Sequence, residues 1–301
     1  MPTLLEAIDL YLLVDRAPST NHVYANTLTL IARSIGADRD IRLISYMDLL
    51  DHFSRRKELS QATLSSYARL LKGFFKWCVK TGMLTVSPAD ALNIRPGEKT
   101  QEDRSMPATV LKDVLEYSKD DAFSFALILF FADTGARVGG VAGMRVDKLD
   151  LAEQHADIPR KGGGTYRVWF SESTANALKR WLVMRPKTKS PEVFVRRDGS
   201  PYNANALGMK VRRLTQNVCG IMYGPHSIRH AVGHALAYRH VPPSLTAKKL
   251  GHRNVMTTLN FYYPNDEDAL KALSETIPLA ALGSEEVDSS RILRVDFRRK
   301  S

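Results

Sequence analysis

Four separated stretches of this chain carry side chains that could act together on a phosphate. The first is Asp133-Thr134-Gly135-Ala136-Arg137. A glycine shortly before an arginine opens the backbone at a helix start. The guanidinium there can take two phosphate oxygens at once, helped by the helix N-terminus. The second is Lys161, in the turn Pro159-Arg160-Lys161-Gly162-Gly163-Gly164. A lysine whose pKa is lowered by nearby cations can give a proton to a departing oxygen. The third is His226-Ser227-Ile228-Arg229-His230, where His226 and Arg229 are three apart and share a helix face. His52 and Arg55 satisfy the same spacing, so the pattern alone decides nothing. The context differs, because His226 follows Gly224-Pro225, a helix start. The fourth is Leu250-Gly251-His252, with the aromatic run Phe261-Tyr262-Tyr263 roughly three helical turns further on. Each stretch alone also has a plain structural reading: a surface arginine, a solvated turn lysine, a capping or packed histidine, aromatics packed in a terminal helix. The chain has no phosphate-binding P-loop, no dinucleotide fingerprint, no nucleophile elbow and no pair of carboxylates placed for two metal ions.

These residues need elements to position them. Residues 1–95 read as all helical. Ser60 is a natural N-cap for the segment that follows, and Leu64, Tyr67, Leu71, Phe74 and Cys78 repeat at spacings of three and four, one stripe of a helix. Arg69, Lys72, Lys76 and Lys80 fall between the apolar positions. Such a face is either simply solvated or tracks phosphates. Residues 96–105, with proline, glycine and charges but no period, read as a linker. A second domain opens at about Met106. Its strongly apolar run from 122 is broken at Gly135 and resumes at Arg137. Two strands flank the glycine turn, and helices are expected over 203–218, 226–239, 243–250 and 254–263. The fold class is therefore mainly α: a small helical domain, then a mainly helical domain with one small antiparallel sheet. The second domain is expected over 106–283, followed by a polar tail, 284–301, whose apolar cluster Ile292, Leu293, Val295 and Phe297 suits either a disordered tail or a docking segment.

Composition sets the class of partner. The 301 residues include 43 Lys plus Arg and 32 Asp plus Glu, a net charge of +11. Residues 106–280 carry 24 basic and 16 acidic side chains, so most of the excess lies in the second domain. A basic domain of that size favours a polyanion. No run of 18 apolar residues points to a membrane span. Glu6 and Asp9 interrupt the first apolar stretch, which argues against a signal peptide. Cys78 and Cys219 form no metal-binding spacing, so a reduced, cytoplasmic protein is expected.

Taken in order, Arg137, Lys161, His226, Arg229, His252 and the aromatic run at 261–263 resemble the tyrosine recombinase, or phage integrase, family, in its Xer-like form. The segment 134–150 is similar to that family's first arginine box, and 226–264 to its second box through to the nucleophile helix. Residues 60–88 are similar to its core-binding domain. The resemblance implies a site-specific recombinase of a prokaryote, phage or mobile element, associated with the nucleoid. It implies action as a homotetramer on double-stranded DNA with inverted-repeat core sites, with accessory proteins as further partners. It implies a tyrosine that attacks the scissile phosphate, leaving a 3′-phosphotyrosyl link and a free 5′-hydroxyl. Arg137 and Arg229 would hold the non-bridging oxygens, Lys161 would protonate the leaving oxygen, and His226 and His252 would position the phosphate and assist proton transfer. No metal or other cofactor is implied, because the covalent link stores the bond energy.

The chain departs from the family pattern at two places. The acid usual three residues after the first arginine is Gly140 here. The nucleophile's place, nine residues after His252, falls on Phe261, which has no hydroxyl, and Tyr262 is one residue out of register. Three readings follow: a Tyr→Phe substitution at 261 that traps an uncleaved complex, a nucleophile shifted to Tyr262, or an inactive relative that only binds DNA. A type IB topoisomerase would use the same chemistry on one duplex.

Overall fold

The computed structural model describes residues 2–14, 18–95, 105–160 and 162–263. The chain divides into two compact units, residues 1–103 and 104–301. In the first, the described residues form helices α1 (Leu4–Leu12), α2 (Pro18–Ile35), α3 (Tyr46–Ser54) and α4 (Gln61–Lys80) around one apolar core. Their starts are chemically marked. Thr3 with Glu6, and Ser45 with Asp48, make reciprocal capping pairs, and the Ser60 hydroxyl accepts from the Thr63 backbone N–H at 3.3 Å. On α4, Leu64, Leu71, Phe74 and Cys78 are buried and Tyr67 half-buried, the stripe expected from the spacing. Burial pushes the Cys78 thiol up to about 12, so it is an inert core side chain. Arg69, Lys76 and Lys80 are exposed and Lys72 half-exposed, and among the described residues none of the four is ion-paired.

The rival His-x-x-Arg at 52 and 55 is resolved by burial. His52 is 1% exposed, packs edge-on against Phe53 and is held below its usual pKa first by burial. Arg55 points away and pairs with Asp51 one turn back. This is a core histidine beside a surface ion pair.

In the second unit the described elements are α5 (Ala108–Ser118), α6 (Ala122–Thr134), α7 (Val138–Ala142), β1 (Leu149–Asp150), β2 (His155–Pro159), β3 (Thr165–Trp169), α8 (Glu172–Met184), α9 (Ala204–Cys219), α10 (Pro225–Tyr238), α11 (Pro243–Leu250) and α12 (Val255–Tyr262). Helix α6 is apolar all round, with Ala126, Ile128, Phe130 and Phe131 at 0% exposure. It can only be central, and α5, α8 and α10 pack against it. The strands form one antiparallel sheet in the order β1-β2-β3, with Ile158 opposite Tyr166 and Ala156 opposite Val168. Those four side chains are buried while Arg167 and Trp169 on the other face are exposed, the period-2 pattern of a half-buried sheet. Glycines 162 to 164 all take positive φ and turn the chain between β2 and β3. Lys161, in this turn, lies outside the described residues, as do 96–104 of the expected linker and the tail at 284–301.

Candidate active site

Two helix ends build the floor of the site. Helix α6 ends at Gly135 (φ +61°) and α11 ends at Gly251 (φ +65°), both left-handed caps. Side chains are excluded there for a second reason as well. A Cβ on Gly135 would lie 2.6 Å from Leu250 Cδ2, and one on Gly251 would lie 2.5 Å from the Tyr166 ring. The two corners therefore close on each other and on β3. Their carbonyls are the negative ends of helix dipoles, and they receive the arginines.

Arg229, on α10, is 3% exposed. Its Nη1 donates to the carbonyls of Gly135 and Leu250, both at 2.7 Å. Its Nη2 is buried with no hydrogen-bond partner among the described residues. Arg137 caps the start of α7, and its Nη1 donates to the Gly251 carbonyl at 2.8 Å. Neither guanidinium is ion-paired with a carboxylate among the described residues. Burial first, and the neighbouring Arg137 charge second, push the Arg229 guanidinium down to about 10. Two like charges held by carbonyls leave most of their charge for an anion.

At Gly140 the family pattern's acid is absent for a packing reason. The glycine is buried, and a Cβ there would stand 2.9 Å from Ile158 Cδ1 and 3.0 Å from the Pro159 carbonyl oxygen. Helix α7 packs its bare backbone on β2 where the family pattern has an acid. The nearby carboxylate of Asp133 is engaged by the Thr174 hydroxyl at 2.9 Å and faces Lys249 at 3.8 Å.

The histidines line the same place. His226, at the start of α10, stacks on His230 one turn along (5.8 Å, 28°). His226 is exposed as a residue, but desolvation on the ring side that faces the protein, then Arg229, Arg137 and Arg212 in turn, hold its imidazole below the usual value. His252 follows the α11 corner, and its Nδ1 hydrogen-bonds the fully buried Thr258 hydroxyl at 2.7 Å. Burial, then Arg229 and Arg137, push His252 down to about 4. Both rings are therefore neutral near pH 7. The structure thus brings Arg137, His226, Arg229 and His252 together.

The aromatic run separates into three fates. Phe261 is 41% exposed. Tyr263 donates its hydroxyl to the Val241 carbonyl and bonds Thr246, which locks it to the start of α11. Tyr262 is 5% exposed and turns inward. Its ring lies parallel to His252 (6.4 Å, 4°) and edge-on to His234 (5.2 Å), and its Oη is 3.4 Å from His230 Nδ1. Burial raises the Tyr262 pKa, while the charges of Arg229 and Arg137 oppose that rise. Counting places position 261 at the site, and its ring does stand 5.9 Å from that of His230, but it is the ring of Tyr262 that is buried there. One residue turns a helix by about 100°, and the inward direction belongs to 262. His230 and His234 were not among the residues singled out by spacing. His230 had a signal, lying four residues after His226 and so on the same helix face.

Residues 104–268, more than half of the chain, match the phage integrase family. The chain is similar to the tyrosine recombinase XerC of Corynebacterium efficiens, 26% identical over 294 residues that cover 92% of this chain and 93% of the relative. It is similar to XerC of Azotobacter vinelandii, 26% identical over 231 residues, 75% of each chain. Its fold is that of the Tn1549 transposon integrase solved in complex with transposon right end DNA, with a TM-score of 0.76, 19% identity, and 91% and 99% of the two chains covered. A lambda integrase dimer bound to a core site shares the fold at a TM-score of 0.68 and 14% identity, over 85% and 97% of the chains. With that match and the ordered set of arginines and histidines around one buried tyrosine, the chain belongs to the phage integrase family of tyrosine recombinases.

Proposed function

We propose that this site-specific DNA recombinase cuts and rejoins strands through Tyr262. The observation that carries the reading is the convergence of a buried tyrosyl hydroxyl with two guanidiniums held by carbonyls instead of carboxylates. Such a site is built to receive a phosphodiester and to stabilise the extra negative charge of its transition state. The Tyr262 oxygen bonds to phosphorus and the bond from phosphorus to the 5′-oxygen breaks. The tyrosyl proton passes to a neighbouring imidazole nitrogen, with His230 Nδ1 at 3.4 Å. Lys161 supplies the proton of the leaving 5′-hydroxyl. Attack by a 5′-hydroxyl from the partner strand reverses these steps and releases the tyrosine.

The basic face of α4 gives the first unit a phosphate-tracking role. The first unit acts as a DNA clamp, and the chain works on inverted-repeat core sites within a homotetramer, in the cytoplasm. The segment 284–301 serves as the docking arm.

The test is a nicked suicide substrate carrying a core site found by footprinting. The chain as it stands should form a protease-sensitive, 3′-linked adduct whose DNA-bearing peptide maps to position 262. Tyr262→Phe should form none. An adduct that survives Tyr262→Phe refutes the assignment. If the chain binds and synapses sites yet never forms an adduct unless Phe261→Tyr is introduced, the trapped-substitution reading takes its place.

A further inference from the structure

Helix α10 breaks a local rule at Gly233. Glycine in the middle of a helix is less favourable than alanine, and this one is buried, so its reason must lie in packing. The reason is on α12. A Cβ on Gly233 would stand 2.4 Å from Cζ, 2.5 Å from Cε1 and 2.7 Å from Cε2 of Tyr262. Carbon atoms pack at about 3.5–4 Å, so no side chain fits. The tyrosine ring lies directly on the α10 backbone. The rings of His230 and His234 stand at 5.8 and 5.2 Å and that of His252 at 6.4 Å. Gly233 is also one turn beyond Arg229 and two beyond His226, on the face of α10 that carries both. The bare position is therefore aligned with the phosphate-holding groups and not merely near them.

We propose that Gly233 is a positioning residue that selects which residue of α12 delivers the hydroxyl. By lacking a Cβ it admits the Tyr262 ring to the face of α10 that carries Arg229. That fixes the nucleophile one position past the place reached by counting from His252. The inference rests on Tyr262 being the nucleophile. Alanine at 233 would push the ring outward by about 1 Å to restore normal contact distances. A shift of that size in a reacting group lowers a rate by about 100-fold. It would also move the phenol towards solvent, relieving the burial that raises its pKa.

The experiment compares the full-length chain, Gly233→Ala and Tyr262→Phe by core-site binding, thermal melting and single-turnover cleavage of the suicide substrate. Gly233→Ala is expected to bind DNA as the parent does while cleavage falls about 100-fold. The ultraviolet titration assigned to Tyr262, by difference from Tyr262→Phe, should move down towards the ordinary tyrosine value. Parental cleavage by Gly233→Ala, with Tyr262→Phe silent, overturns the positioning role alone. Cleavage by Tyr262→Phe instead overturns the nucleophile assignment beneath it. Should Gly233→Ala be too unstable to assay, melting in a Tyr262→Ala background decides. With the ring gone, alanine at 233 should be tolerated and as stable as glycine or more so. An equal loss of stability in both backgrounds would mean that the Cβ meets something other than Tyr262, and the proposal falls.

Discussion

Arg229→Met separates an arginine that holds the fold from one that holds the substrate. The guanidinium is 3% exposed and makes two 2.7 Å hydrogen bonds to carbonyls. Hydrogen bonds to charged groups contribute about 1.5–3 kcal/mol each, so the two together contribute about 3–6 kcal/mol. Against them stands the burial of the charge. The group is pushed from 12.5 to about 10, and at about 1.4 kcal/mol per pH unit that withdraws roughly 3 kcal/mol. The arginine thus adds a net of about 0–3 kcal/mol. Methionine fills the same channel with an apolar, adaptable chain. The melting temperature of the variant should fall by no more than about 12 °C, since a domain of this size loses about 2–4 °C per kcal/mol. Cleavage on the suicide substrate, assayed well below melting, should fall at least about 100-fold. Arg229→Lys keeps the charge but not the fork that spans two carbonyls and still offers a free N–H, so it should cleave nearly as poorly. Parental cleavage by either variant refutes the reasoning. So would a Met variant that no longer folds, because the offset between charge burial and hydrogen bonding would then be wrong.

Two further outcomes follow from the same geometry. Gly140→Asp, which restores the acid of the family pattern, should destabilise the second unit by about 1–3 kcal/mol through overpacking against Ile158 and Pro159, and should not speed cleavage; a faster and equally stable variant would show that the site lacks an acid it needs. The DNA-free protein should lose stability as pH falls from about 6.5 to about 4, because His252 is held at about 4 and the unfolded chain takes up the proton first; His252→Gln should show a shallower dependence of the urea midpoint over that window, and an unchanged slope would remove His252 from the account.

Much of this architecture was legible in the sequence. The stripe on α4, the Ser60 cap and the alternation on β3 follow from spacing and local chemistry, which determine elements one at a time, whereas the ordered arginines and histidines stand out only through the resemblance to the family. What spacing could not supply is direction. His52 with Arg55 and His226 with Arg229 are the same pattern, and beyond the helix start before His226 it is burial that separates a core histidine beside a surface pair from a site histidine beside a buried arginine. Nor could the sequence say what receives the guanidiniums. The acceptors are backbone carbonyls at 135, 250 and 251, which exist in any sequence and become acceptors only when two helix ends meet. The aromatic run shows the same limit more sharply. Counting along α12 fixes where a residue lies on the axis but leaves its azimuth to whatever the helix packs on, and here a glycine on α10 decides it.

The electrostatics of the site follow from that backbone construction. An arginine paired with a carboxylate is satisfied, and a phosphate must displace or compete with the acid. Here the acceptors are carbonyls at two helix C-termini, which carry partial charge only. They can orient a guanidinium through one nitrogen without neutralising it. The remaining nitrogen of Arg229 is buried and unmatched among the described residues, a state that burial makes unfavourable until an anion arrives. Burial first, and this uncompensated charge after it, lower His226 and His252, and the same charge opposes the burial that keeps the Tyr262 hydroxyl protonated. Neutral imidazoles can accept a proton, and a phenol that positive charge makes easier to ionise can give one up. The unsatisfied arginines thus bind the phosphate and set the protonation states that proton transfer from Tyr262 requires.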